Sequence, residues 1–175
     1  MRYLLLPLMF LPTVALAAGG SAPASSTATT TNCTDGQVYD ERAQSCVTPQ
    51  ESRLDDDTLY QAAREFAHAG AFGHAQQALA AMSNQTEDRV LTYWGYTHRN
   101  LGAWDLGLSY YHAALQQNPD NILARSYLGQ AQVQAGDMAG ALIQLREIQN
   151  RGGADTWAET SLKKALLTGE GYGQG

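Results

Sequence analysis

Residues 94–119 read WGYTHRNLGAWDLGLSYYHAALQQNP, and the two glycines at 102 and 107 decide the fold. Gly102 is followed two residues later by the bulky Trp104 and then by the small Gly107. The same order of glycine, bulky residue and small residue returns at Gly70 and Gly136, which lie 32 and 34 residues from Gly102. A pattern at this interval is typical of stacked helix-pair repeats, and such proteins usually bind other molecules.

From about residue 55 onwards the apolar residues recur at helical spacing. They predict six helices in three consecutive pairs, at residues 55–85, 86–120 and 121–150, with Thr86 as the N-cap of the third helix and Asp137 as the N-cap of the sixth. A seventh helix at 154–168 opens with a capping box from Thr156 to Glu159 and carries one apolar and one polar face, as the end of a solenoid requires.

The first residues predict a secretory signal peptide at 1–18. Arg2 precedes an almost entirely apolar run from Tyr3 to Leu16, and Ala15-Leu16-Ala17 matches a cleavage site. The alternative is a retained N-terminal anchor, but the run is short for a membrane span. We therefore expect a periplasmic or secreted bacterial protein with no membrane span after signal removal. Residues 19–32, rich in Ser, Thr, Ala and Gly, predict a flexible linker, and the glycine-rich residues 169–175 predict a disordered tail.

Two cysteines, Cys33 and Cys46, lie in a loop and lead-in segment at residues 33–54. An even cysteine count in an exported chain indicates one disulfide, here between these two residues. Asp35-Gly36 predicts a turn and Val38-Tyr39 a short strand, but the loop is too small to bury a core without its disulfide.

Composition and motifs exclude several classes of function. A net charge of −6 gives no electrostatic reason to bind nucleic acid. The four histidines lack the spacing of a metal site, and the run Asp55–Asp57 fits the acidic start of a helix better than a calcium loop. Neither a nucleophile elbow nor a phosphate-binding loop is present. We therefore expect no catalytic residues, no metal, no cofactor and no enzymatic activity.

The three units resemble the tetratricopeptide repeat, a helix–turn–helix of 34 residues. In the best match, residues 88–121, Trp94-Gly95 stands at the usual Leu-Gly, Gly102 closes the first helix and Pro119 ends the unit. The resemblance covers roughly residues 55–150. It implies an all-α fold, an α-solenoid of three repeats with a C-terminal capping helix, preceded by a small disulfide loop. We also expect that Gly107, smaller than the usual Ala, opens space for the large Trp94.

The whole arrangement is also similar to a group of exported bacterial repeat proteins with an N-terminal Cys-x12-Cys loop. In tetratricopeptide repeats the first helices line a concave groove that receives a partner peptide. The resemblance therefore implies a groove lined by Tyr60, Arg64, His68, Arg89, Tyr93, Tyr96, Arg99, Asn100, Ser126, Tyr127, Gln130 and Gln134. Arginine and tyrosine are favoured at binding hot spots, and three arginines suit a carboxylate or an acidic peptide. The alternative is that these are ordinary solvated helix faces. The Lys and Asn positions of the family's carboxylate clamp are not reproduced.

The expected function is an exported, monomeric protein-interaction module or scaffold that binds a peptide or partner protein in this groove. The alternative is an envelope carbohydrate or peptidoglycan binder that uses the Cys33–Cys46 loop with Tyr39.

Overall fold

The computed structural model describes residues 24–51 and 53–171, so the predicted signal peptide at 1–18 lies outside the described residues. The described chain begins with helix α1 (Ala28–Asn32), a hairpin of strands β1 (Val38–Asp40) and β2 (Ser45–Val47), and a 3-10 turn at Pro49–Glu51. None of the helices in these two ranges combines the length and apolar character needed to cross a bilayer.

Seven longer helices follow between residues 53 and 171, which confirms the predicted all-α solenoid. Each predicted unit holds one pair: α2 (Asp56–His68) with α3 (Phe72–Ala81), α4 (Asp88–Asn100) with α5 (Trp104–Gln117), and α6 (Ile122–Gln134) with α7 (Met138–Asn150). The seventh helix, α8 (Trp157–Thr168), packs on α6 and α7. The apolar faces of neighbouring helices thereby bury one another along the stack.

The recurring glycine ends the first helix of each pair in the same way. Gly70, Gly102 and Gly136 have φ angles of 76°, 86° and 80°, a left-handed conformation that strongly favours glycine. In the first pair, Gly70 N–H donates to the carbonyl of Ala67, and Ala71 N–H donates to that of Phe66. The same two bonds recur at Gly102 and at Gly136. This is the Schellman C-cap, which satisfies carbonyls that the helix leaves unpaired.

Side-chain caps begin most of the long helices. The carboxylate of Asp137 accepts from Gly140 N–H and the hydroxyl of Thr156 accepts from Glu159 N–H, so both predicted caps are confirmed. The predicted cap at Thr86 is wrong: α4 begins one residue later, with Glu87 at the N-cap position and no side-chain cap. Thr86 instead donates from its N–H and its hydroxyl to the side-chain oxygen of Asn84, within the turn that precedes the helix.

Gly107 does not open space for Trp94, as its small size suggested, but allows two helices to approach closely. A Cβ added there would lie 2.9 Å from the carbonyl oxygen of Gly95 and 3.0 Å from the backbone nitrogen of Arg99. The missing side chain therefore brings α5 against the backbone of α4, and the expected compensation for Trp94 is wrong. The Trp94 ring instead stacks on His98 and Tyr110, at centroid distances of 5.5 and 6.0 Å.

The disulfide between Cys33 and Cys46 is present, as predicted, and the segment around it is docked on the first repeat. Val38 of β1 is fully buried in the main hydrophobic cluster, together with residues of α2 and α3 such as Leu59 and Leu79. The predicted flexible linker is wrong over residues 28–32, which form α1. The disulfide hairpin therefore covers the open end of the helix stack.

Candidate partner-binding surface

The first helices of the three pairs and α8 present a row of aromatic side chains, one from each helix. Tyr60 on α2, Tyr93 on α4, Tyr127 on α6 and Trp157 on α8 follow one another at ring-centroid distances of 5.6, 6.3 and 5.9 Å. Each contact is edge-to-face, with interplanar angles of 82°, 83° and 75°. This geometry is favourable for aromatic pairs and ties consecutive repeats together. We call these four residues the aromatic row, and the surface of α2, α4, α6 and α8 that carries it the first-helix face.

Polar side chains surround the aromatic row. Arg64 Nε donates to the Tyr93 hydroxyl over 3.3 Å, and His68 Nε2 lies 3.1 Å from the same oxygen. On α6, Gln130 Nε2 donates to the hydroxyls of Ser126 and Ser161. These bonds hold the side chains of neighbouring helices in fixed positions.

The three predicted arginines occupy different electrostatic settings. Arg89 is ion-paired with Asp57 and Glu87, at 2.6 and 2.5 Å, and its guanidinium lies 4.7 Å from the centre of the Tyr60 ring. Two carboxylates therefore offset the charge of Arg89.

Arg99 is buried at 2% exposure, and its Nη1 donates to Gln134 Oε1 over 2.8 Å. Arg64 is half-buried and donates to the neutral side chains of Gln61 and Tyr93.

Burial shifts the titration of several groups on this face. The pKa of His68 falls from 6.5 to about 4, chiefly because burial disfavours its charged form and also because Arg64 is nearby. Burial also raises the pKa of the Tyr93 and Tyr127 hydroxyls. At neutral pH the histidine and the tyrosines are therefore uncharged, and the arginines supply the cations.

Eight of the twelve residues predicted to line the groove are the candidates for partner contact, and they lie together on α2, α4 and α6 but differ in exposure. Arg64, Arg89 and Asn100 are half-buried. The other five, which are Tyr93, Tyr96, Arg99, Tyr127 and Gln130, are buried. Asn100 donates from its side-chain amide to the Tyr96 carbonyl of its own helix. A binding role for this set stays a prediction.

Sequence reasoning missed Trp157 as a member of the face. The signal was present: the aromatic row occupies positions 60, 93, 127 and 157, at intervals of 33, 34 and 30 residues. Because the predicted repeats end at residue 150, the predicted groove contains no residue of α8.

The chain after α8 returns to the first-helix face. Gly169 ends α8 in the left-handed conformation, and Gly171 is buried. A Cβ added to Gly171 would lie 2.8 Å from Gln134 Nε2 and 3.1 Å from Arg99 Nη1. This placement of residues 169–171 differs from the predicted disordered tail, whose residues 172–175 lie outside the described part of the chain.

A cavity lies between the disulfide hairpin and α2. Its volume is about 430 Å³, and its lining includes Tyr39, Asp40, Arg42, Arg53, Gln61 and Glu65. In the described ranges, no cluster of three or more His, Cys, Asp or Glu side chains is placed to hold a metal ion.

The family assignment rests on the repeats. No curated protein and no solved structure shows significant similarity to the chain. Residues 101–159, which run from the end of α4 into α8, match the family model of the tetratricopeptide repeat. The same helix pair and glycine C-cap recur from α2 onwards, and together with this match they support a tetratricopeptide repeat protein.

Proposed function

We propose that the first-helix face binds an extended peptide or a segment of a partner protein, and that the chain is an exported, non-enzymatic interaction module. Tetratricopeptide repeats generally mediate protein–protein interaction. The single observation that carries the proposal is the half-buried edge of the aromatic row, where Arg64 and Arg89 lie beside the Tyr60 ring. Aromatic rings and arginine are the side chains most often found at binding hot spots.

The partner chemistry follows from the arginines. The guanidinium carbon of Arg64 lies 5.8 Å from the centre of the Tyr60 ring, and Arg64 also donates to the Tyr93 hydroxyl. A guanidinium held in this way loses little conformational entropy when it binds a further group. Its planar N–H donors match the two oxygens of a carboxylate. Arg89 already serves Asp57 and Glu87, so it contributes less. We therefore expect a peptide with at least one Asp or Glu to bind near Arg64.

Selection from a random peptide library displayed on phage tests this proposal without a known partner. The protein is expected to enrich acidic peptides, and Arg64→Ala should lower the affinity for the selected peptides at least tenfold. The matched control is Arg146→Ala, because Arg146 is an exposed arginine on α7, away from the first-helix face. Equal binding to both variants and to the parent protein would rule out the first-helix face as the site.

Export is supported by the signal-like residues 1–18 and by the disulfide, because disulfides persist in oxidising compartments. Fractionation of bacterial cells that produce the full chain is expected to place a processed form outside the cytoplasm. An unprocessed cytoplasmic form with two free thiols would contradict it.

The second candidate function is carbohydrate binding, and the cavity beside Tyr39 favours it. Its volume of about 430 Å³ lies in the range of small-molecule sites, and its lining combines an aromatic ring with planar polar side chains such as Gln61 and Arg42. Because Val38 belongs to the core, deletion of the whole loop would also destabilise the repeats. Tyr39→Ala is the more specific test. If the parent protein is retained on peptidoglycan and the variant is not, carbohydrate binding at this cavity is supported. If the parent is not retained, or the two are retained equally, it is excluded.

A further inference from the structure

The path of the chain after α8 suggests what covers the first-helix face. We propose that the chain from Gly169 onwards is an intramolecular ligand of this face that a partner must displace. The proposal rests on the proposed function, because it assigns regulation to the same surface.

The tail turns back at the end of α8. The N–H of Gly169 donates to the carbonyl of Ala165, and the left-handed φ of 76° turns the chain at the end of α8. Two residues later, Gly171 lies against Gln134 of α6 and Arg99 of α4. The tail therefore runs from the last helix of the stack back across the first-helix face, towards the helices that precede it.

The contact at Gly171 is close. Gln134 and Arg99 are hydrogen-bonded to each other, and together they form a polar floor beneath Gly171. A Cβ at position 171 would lie 2.8 Å from Gln134 Nε2 and 3.1 Å from Arg99 Nη1, so the backbone of Gly171 lies directly against the ends of these two side chains. The backbone at Gly171 thus contacts the first-helix face as the backbone of a bound peptide would.

The reach and composition of the tail are also relevant. The four residues after Gly171 span about 13 Å when extended, and neighbouring helices pack about 8–10 Å apart. Residues 172–175 are therefore long enough to cross from one helix to its neighbour. This segment begins with Tyr172, an aromatic residue like those of the aromatic row. Positions 173 and 175 are glycines, which add no side-chain volume.

The consequence is competition. A tethered segment acts at an effective concentration in the millimolar range, so it can occupy the face even when its own affinity is modest. A partner then binds with an apparent affinity reduced by the fraction of molecules in which the face is open. Removal of the tail should raise the affinity for a partner peptide without altering any contact that the peptide makes.

The test uses the tail as its own probe. A synthetic peptide of residues 169–175, labelled with fluorescein at its N-terminus, is titrated with protein that ends at Gly169, and fluorescence anisotropy is measured. Saturable binding with a Kd below about 1 mM is expected, with binding to the full chain at least tenfold weaker. In the shortened protein, Arg99→Ala should weaken the binding and Arg146→Ala should not. Absence of binding, or equal binding to the full and shortened chains, would overturn the proposal.

A second variant tests the contact within the full-length chain. Gly171→Trp places a large ring at a buried position and should lift the tail from Arg99 and Gln134, which raises the affinity for library-selected peptides at least threefold. Gly73→Trp on α3, where the position is exposed and an added Cβ meets nothing within 4 Å, should not. If selected peptides bind both forms equally and the tail peptide binds neither, the tail proposal fails and the proposed function stands. If no selected peptide depends on Arg64, the proposed function itself fails.

Discussion

The carboxylate of Glu65 on α2 accepts the backbone N–H of Thr27 at 2.7 Å, across 38 residues of sequence. The Thr27 hydroxyl and both the N–H and the hydroxyl of Thr30 donate to the same carboxylate. Burial alone would raise the pKa of Glu65, but these hydrogen bonds outweigh it and hold the pKa below its ordinary value of 4.5. This one side chain fixes α1 to the first repeat.

Glu65→Ala should therefore lower the free energy of unfolding by about 1–3 kcal/mol, because it removes the charged acceptor of the hydrogen bonds from Thr27 and Thr30. Urea unfolding measures the effect. Glu41→Ala, in the exposed part of the hairpin, is the control and should change the midpoint little. Coincident unfolding curves for the two variants would show that α1 does not contribute to the stability of the repeats.

The disulfide should stabilise the repeats as well as its own loop. In the chain-entropy model, a bond that closes a loop of about 15 residues contributes about 3 kcal/mol. Because Val38 between the two cysteines is buried in the cluster that includes α2 and α3, loss of the bond should loosen those helices too. The Cys33→Ser/Cys46→Ser double variant should show a lower Tm and faster amide exchange in α2 and α3 than in α6. If amide exchange becomes faster only in the hairpin, the hairpin folds independently of the helix stack.

Gly107 should be intolerant of a side chain. An added Cβ would meet the backbone of Gly95 and Arg99 at 2.9–3.0 Å, and backbone cannot move aside as a flexible side chain can. Gly107→Ala should destabilise by about 1–3 kcal/mol, although alanine favours the helix intrinsically. Gly73→Ala is the matched control, because position 73 lies in α3 with no atom within 4 Å of the added Cβ, and it should be neutral or stabilising. A rise in Tm for both variants would refute the close contact between α4 and α5.

The repeats could be predicted from the sequence because each depends on local rules. Gly70 and its counterparts are demanded by the left-handed C-cap, and Asp137 and Thr156 by unpaired helix N–H groups. What could not be predicted depends on contacts distant in sequence. A stretch such as 28–32 has no helical signal of its own and is held by Glu65, which lies about 35 residues later. Gly171 likewise reads as a flexible tail residue until Arg99 and Gln134 are placed beside it.

The exposure of the predicted site could not be read from the sequence for a related reason. Helical periodicity places Tyr93 and Tyr127 on the same face of their helices, and the two rings are in contact. Whether that face is open depends on how closely neighbouring first helices approach and on where the chain goes after α8. Neither quantity is encoded in the repeat pattern, so residues predicted as an open surface proved to be buried, while Arg64 stayed half-buried at the edge of the row.

The start of α8 should give the protein a measurable pH dependence. The carboxylate of Glu159 accepts from Lys163 Nζ at 2.7 Å, from Gln149 Nε2 at 2.6 Å and from Asp155 N–H at 3.0 Å. Chiefly through Lys163, and then through Gln149 and Asp155, these contacts lower the pKa of Glu159 from 4.5 to about 2. The unfolded chain therefore takes up this proton at a higher pH than the folded chain does.

It follows that the contribution of Glu159 to stability is fully present above pH 4.5 and is lost as the pH falls from 4.5 towards 2. Glu159→Gln removes the titrating group, so the difference in free energy of unfolding between parent and variant should be largest near neutral pH and should shrink across that interval. Urea unfolding at a series of pH values measures the difference directly. A difference that stays constant between pH 6 and pH 2.5, values chosen about 1.5 units above and 2 units below the ordinary pKa, would show that the Glu159 carboxylate is not held by these partners in solution.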